Sequence, residues 1–167
     1  MSGVRAAERS LAWRRLAEAF RYPVRSQAGA GADFHAAFEP AVSREAGSLH
    51  EAAYASEDRR SLFEELVRFY AHFGLARELR AELPDHLTVE LEFMHFLCWL
   101  EHGASARGAD VAGLRRAQRD FLARHLRRLA VGLAARCESA PPRYAALARQ
   151  LAEHVAGELA ELGAAAA

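Results

Sequence analysis

Lysine, isoleucine and asparagine are absent from the sequence, and threonine occurs once, at Thr88. With no Ile and few Val, the β-branched residues that suit pleated strands are nearly missing, which argues against a sheet. Every basic side chain other than His is therefore Arg, 22 in all. The abundance of Ala beside these absences reads as GC-rich coding, so the choice of Arg carries no message about phosphate. Cysteine is scarce. Cys98 and Cys137 have no metal-ligand spacing and read as the reduced thiols of a cytosolic protein.

Excess charge is missing too. The 22 basic and 22 acidic residues cancel, which gives no electrostatic case for nucleic acid or for an anionic membrane surface. No run approaches the roughly eighteen uninterrupted apolar residues of a membrane span. The start, "MSGVRAAERSLAWRRLAEAF", carries charge throughout where a secretory signal would have an apolar core. The Arg pairs at 14–15, 59–60, 115–116 and 127–128 precede no apolar leader segment and read as solvated helix faces.

What the chain does have is helical periodicity along most of its length. Helices are expected over 7–21, with Leu11, Leu16, Ala19 and Phe20 on one side, and from 33, bent or split at Pro40. A short helix and turn follow at 48–60, and a stronger helix spans 59–73, closed by Gly74. "AGAGA" at 28–32 is a joint, and 75–83 forms a helical turn or hinge leading into Pro84. A helix over 85–102 comes next. Asp110 can cap a long helix ending near Cys137, and "ESAPPR" precedes a last helix over 144–162. These features imply an all-α, single-domain bundle of six or seven helices over 1–167.

One helix is unusual. "LPDHLTVELEFMHFLCWLE" (83–101) is apolar enough for burial, yet it carries Asp85, His86, Glu90, Glu92 and His95. Asp85, just after Pro84, fits an N-cap worth about 1 kcal/mol. Glu92 and His95, one turn apart, read as a surface pair, with Trp99 and His102 on the same side. At a hundred degrees per residue Glu90 points into apolar surroundings beside Leu97. It must be paired with an Arg from another helix or poised at a groove, because a lone buried carboxylate costs several kcal/mol.

Glu92 and His95 also make one Glu-x-x-His step, half of a di-iron bundle motif. The chain holds no second copy and no His-x-x-x-His, so neither metal nor cofactor is expected. A helical-bundle metal or haem protein stands as the alternative function. No nucleophile elbow or phosphate loop is present, and "AGAGA" follows no strand, so no enzyme is indicated. The remaining chemistry is binding. Tyr70, Phe73 and Leu75 precede the hinge and the charged helix follows it. Such an apolar groove, rimmed by carboxylates, suits a peptide that joins an apolar stretch to basic residues.

"FYAHFGL" (69–75), a short spacer and then "PDHLTVELEFMHFL" (84–97) resemble the signature of the TorD/DmsD/NarJ family of molybdoenzyme assembly chaperones. Pro84, Asp85, His86, Leu87, Glu90, Leu91, Glu92, Phe93 and Met94 carry the match. "LAEAFRYP" (16–23), "HEAAYAS" (50–56) and "FLARHL" (121–126) fall in the family's order. The resemblance implies a TorD-like, all-helical cytoplasmic chaperone, monomeric or homodimeric. Its partner would be the catalytic subunit of a molybdopterin-dependent oxidoreductase of the dimethyl sulfoxide reductase type, or that subunit's twin-arginine leader, held while the cofactor is inserted. It also implies partner binding through the Asp85–His86 hinge. With the pattern above, the expected client-binding residues are Tyr70, Phe73, Leu75, Pro84, Asp85, His86, Glu90 and Glu92. The chain is shorter than many relatives between Pro23 and His50. It has Leu129 where some carry Trp, which leaves leader and mature subunit both open.

Overall fold

The structure is a computed structural model that describes residues 2–23, 29–76 and 82–164. Its helices are α1 (Ser2–Ala19), α2 (Ala30–Phe38), α3 (Arg59–His72), α4 (Leu87–Ala106), α5 (Ala112–Phe121), α6 (Arg127–Arg136) and α7 (Pro142–Ala164). Short 3₁₀ turns lie at Glu51–Ala53 and Cys137–Ser139, and a π-helical turn, Leu122–Leu126, joins α5 to α6 without a break. The chain is thus an all-α bundle, and the long helix expected after Asp110 is this α5–π–α6 run. Most of the expected 75–83 turn, at 77–81, and part of the "AGAGA" joint lie outside the described residues.

Helix boundaries follow local chemistry. Asp58 caps α3, its carboxylate accepting from the Arg60 and Ser61 N–H groups at 3.0 and 3.1 Å. Gly74, at φ +77°, takes the left-handed position just past α3 that a side chain would disfavour. Pro40 lies two residues beyond the end of α2 rather than bending it.

Helices α1 and α4 run antiparallel in close contact. The His102 Nδ1–H donates to the Gly3 carbonyl at 2.8 Å, the His95 Nδ1–H to the Ser10 carbonyl at 2.9 Å, and Arg21 pairs with Glu92. His95 therefore faces α1 and Glu92 meets the segment just past the end of α1, so the two do not face each other. Trp13 and Leu16 of α1, with Phe20 just past its end, meet Leu87, Leu91, Met94 and Leu97 of α4 in the core, closed by Phe121, Leu126 and Leu129 from the α5–α6 run. Leu11 is half exposed, because Trp13 and Ala17 occupy the inward stripe that Leu11 and Ala19 were expected to share. Leu129 is fully buried, so its position belongs to the core and not to a surface pocket.

The far end of α4 carries a buried polar knot. Arg9 donates to Glu158, to Glu101 at 3.0 Å and to Gln118 at 2.6 Å, while Arg115 closes the second Glu101 oxygen at 2.7 Å. Both Glu101 and Glu158 are buried, yet each meets a guanidinium, which offsets the cost of desolvation. Replacing Arg9 by Ala should leave the buried Glu158 carboxylate without its guanidinium, while Glu101 keeps Arg115, and cost about 3–5 kcal/mol, read as a lowered midpoint in urea unfolding.

Candidate functional site

The start of α4 is tied to a distant loop. The Leu87 N–H donates to the Leu49 carbonyl at 2.7 Å and the Glu51 N–H to the Asp85 carbonyl at 2.9 Å, a short antiparallel bridge between 49–51 and 85–87. The loop is itself braced. The Tyr54 hydroxyl donates to the Ser48 carbonyl at 3.0 Å and accepts from the Ser48 N–H at 2.9 Å, and the Tyr54 ring lies where a Cβ at Gly132 would stand.

Asp85 completes the bridge rather than capping the helix. Its buried carboxylate accepts from the His50 Nδ1–H at 3.0 Å and the Ala52 N–H at 3.2 Å. Burial pushes this carboxyl up, but the His50 and Ala52 donors outweigh it and hold it below its ordinary value. The N-cap is His86, whose Nδ1 accepts from the Thr88 N–H at 3.3 Å. Burial, and then the neighbouring His50, lower the His86 pKa and favour the neutral ring that can accept this bond. The Tyr70 hydroxyl donates to the Pro84 carbonyl at 2.8 Å, so α3 holds the same hinge from the other side.

Two grooves flank this hinge. An apolar one of about 420 Å³ lies between α3 and α4, lined by Val67, Tyr70, Leu75, Ala76, Pro84, Val89, Phe93 and Phe96, with Glu82 and Glu92 also at its wall. Phe96 stacks on Trp99, which is 57% exposed and extends the apolar surface along α4. A more polar groove of about 730 Å³ lies on the other side, lined among others by Arg21, Tyr22, Phe34, His50, His86 and Thr88. Glu82, Val89 and Glu92 border both.

Of the residues the sequence singled out, Tyr70, Leu75, Pro84 and Glu92 line the apolar groove, and His86 and Glu92 line the polar one. Phe73 packs its ring on Phe93, 5.8 Å between centroids, and borders a separate cleft between α3 and α5. Asp85 and Glu90 lie buried beneath the grooves, not at their surface. Val67, Val89 and Phe96 were passed over. The helical steps from Val89 to Phe93 and Phe96 were the available signal.

Glu90 has no Arg of its own. Among the described residues no hydrogen-bond donor reaches either of its oxygens, and its neighbour is the Glu51 carboxyl. Arg128, expected on a solvated face, instead pairs with Glu51 and, at 2.6 Å, with Glu57. The π-turn turns His125 inward, its Nδ1 3.2 Å from both Glu51 oxygens and its Nε2 3.2 Å from Glu65. Burial, and then the Glu51 charge, push the Glu90 carboxyl well above its ordinary value.

Among the described residues no group of three His, Cys, Asp or Glu side chains could hold a metal ion, and no helix is long and apolar enough to cross a membrane. Burial raises the Cys98 thiol to about 12 and the Cys137 thiol to about 11, which makes both unreactive.

Residues 5–134 match the family model described as nitrate reductase delta subunit. The chain is 37% identical over 156 residues to the selenate reductase assembly chaperone protein of Thauera selenatis, covering 91% of this chain and 80% of that one. It is 35% identical over 155 residues to the chlorate reductase assembly chaperone protein of Ideonella dechloratans, with the same coverage, 91% and 80%. A dimethyl sulfide dehydrogenase assembly chaperone protein of Rhodovulum sulfidophilum matches at 42% over 106 residues, 60% of this chain and 42% of that one. The chain belongs to the NarJ/TorD family of molybdoenzyme assembly chaperones. The relatives it matches are named assembly chaperones, not catalytic enzymes.

In this NarJ/TorD-type chain, Asp85→Asn should lower stability at neutral pH by about 1–3 kcal/mol, because the His50 and Ala52 donors lose their charged acceptor. A carboxyl held below its ordinary value contributes stability above that value, 3.8, and loses it as pH falls through the folded one. Thermal melts of the two proteins should therefore begin to converge only below about pH 4 and meet once the pH has passed below the depressed folded value.

Proposed function

We propose that this chain is a cytoplasmic assembly chaperone that holds the catalytic subunit of a dimethyl sulfoxide reductase-type molybdoenzyme while its cofactor is inserted. The docking surface is the apolar α3–α4 groove and its carboxylate border. The observation that carries this reading is the position of that groove. It opens against the hinge that the sequence shares with the family, and its wall combines Val67, Val89, Phe93 and Phe96 with Glu82 and Glu92. Such a surface suits a client segment that is apolar on one face and basic beside it. The names of the relatives, which pair each with a selenate, chlorate or dimethyl sulfide enzyme, support a client of the same class.

Within this reading Tyr70, Leu75, Pro84, His86 and Glu92 touch the client, whereas Asp85 and Glu90 act from beneath by shaping the hinge. Phe73 supports Phe93 from behind the groove. The segment bound is either the twin-arginine leader or a surface of the mature subunit, and both fit the chemistry of the groove.

The double substitution Val89→Asp with Phe96→Asp places charge in the groove at two positions that are only partly buried. A tagged wild-type protein from its own host should retain a molybdopterin oxidoreductase catalytic subunit, identified by mass spectrometry. The double variant should retain at least about tenfold less, a loss near 1.4 kcal/mol, at an unchanged helical spectrum. Arg149→Ala, on the exposed face of α7, should bind as wild type. Undiminished retention by the groove variant would place the docking surface elsewhere.

A further inference from the structure

The buried carboxyls below the groove do not touch a client in that reading, and the way two acids are buried together is unusual. Glu90 is completely buried in the first turn of α4, and among the described residues no hydrogen-bond donor reaches either oxygen. Across the 49–51/85–87 bridge lies Glu51, also fully buried and the charge acting most strongly on Glu90, whose own oxygens already receive Arg128 and His125. Two acceptors that meet in a dry site repel unless a proton lies between them. The other charged or titratable groups facing Glu90 are Asp85 from the hinge, Tyr70 from α3 and Arg128 from α6. Arg128 is already engaged by Glu51 and Glu57, so it cannot neutralise a third carboxylate.

We propose that Glu51 and Glu90 are positioning residues of the client groove, joined by one shared proton that keeps the α4 hinge closed on the 49–52 loop. The proton resides on Glu90, whose O–H donates to Glu51. The same two segments carry the backbone bridge between Leu49 and Leu87 and between Glu51 and Asp85, and Tyr70 connects the hinge to the groove wall. When the proton leaves, Glu90, Glu51 and Asp85 become three like charges around one hinge. The bridge loosens and the groove loses its floor. Client engagement is thereby coupled to protonation. The shared proton rests on the burial of both carboxyls and on the backbone bridge that brings their segments together, while its role in positioning the groove rests on the docking reading above.

The sign of the coupling follows from linkage. A carboxyl pushed up in the folded chain keeps a proton that the unfolded chain sheds above its ordinary value of 4.5, so stability falls as pH rises beyond that point. Glu90→Gln keeps the shape and a donor toward Glu51 but cannot ionise. Its melting temperature should exceed that of wild type by a margin that widens from pH 5 to pH 9. Glu92→Gln, on the exposed side of the same helix, should run parallel to wild type.

Two further readouts need no client. Infrared difference spectra at pH 7 should show a carboxylic-acid carbonyl band in wild type that Glu90→Gln lacks. Hydrogen exchange of the Glu51, Ala52 and Leu87 amides, corrected for intrinsic rates, should lose protection in wild type by at most about tenfold per pH unit, the limit for one proton, and should stay flat in Glu90→Gln. Superimposable infrared spectra, or melting and exchange profiles that coincide across pH, would overturn the shared proton. With the subunit identified by pull-down as the probe, wild-type affinity should fall as pH rises while that of Glu90→Gln does not. Equal pH profiles there would overturn the positioning role. Failure of the wild type to retain any molybdoenzyme subunit would count against the docking reading alone.

Discussion

The bridge between 49–52 and 85–87 is the constraint on which the site depends. Two backbone hydrogen bonds, Leu87 to Leu49 and Glu51 to Asp85, fix where α4 begins, and the Asp85 carboxylate locks them by holding His50 and the Ala52 N–H. From that starting point α4 must run antiparallel to α1, which sends Leu91, Met94 and Leu97 inward and leaves Val89, Glu92 and Phe96 on the wall facing α3. The groove is thus a consequence of the hinge. Its apolar lining does not need a partner in order to fold, because Pro84, Tyr70 and Phe93 already hold one another.

Helix α4 carries buried charge at both ends, and the two ends are solved differently. At the far end Glu101 and Glu158 each find a guanidinium, and Gln118 fills the remaining space. Such a knot specifies packing and nothing more. At the hinge end the acids outnumber the available cations. Glu51 takes Arg128 and His125, and Glu90 is left facing Glu51. Natural sequences tolerate this kind of local conflict where function needs it, and here it sits directly beneath the proposed docking surface.

Much of this was legible in the sequence. Scarce β-branched residues and three-to-four-residue apolar spacing gave the helical class, and the rotation of a hundred degrees per residue correctly put Glu90 inside. What it faces was not legible, because Glu51 comes from a separate loop, and only the fold brings loop and helix together. Asp85 was misread for a related reason. A residue after Pro and before an apolar run satisfies the local signal for a cap, and the same carboxylate can instead accept donors from a remote segment. Arg128 showed the converse. As one of an adjacent Arg pair it looked solvated, yet the π-turn rotates α6 so that Arg128 lies over Glu51 while Arg127 stays exposed. The groove wall at Val89 and Phe96 was readable from helical spacing, but only once α3 was known to lie opposite.

The central claim is that the face between α3 and α4 meets the client. A photo-crosslinking amino acid placed at position 96, and in a second protein at position 147 in the cleft between α1 and α7, tests it within the host cell. The account predicts a covalent adduct with a molybdoenzyme catalytic subunit from position 96 and none from position 147. An adduct from 147 alone would contradict it.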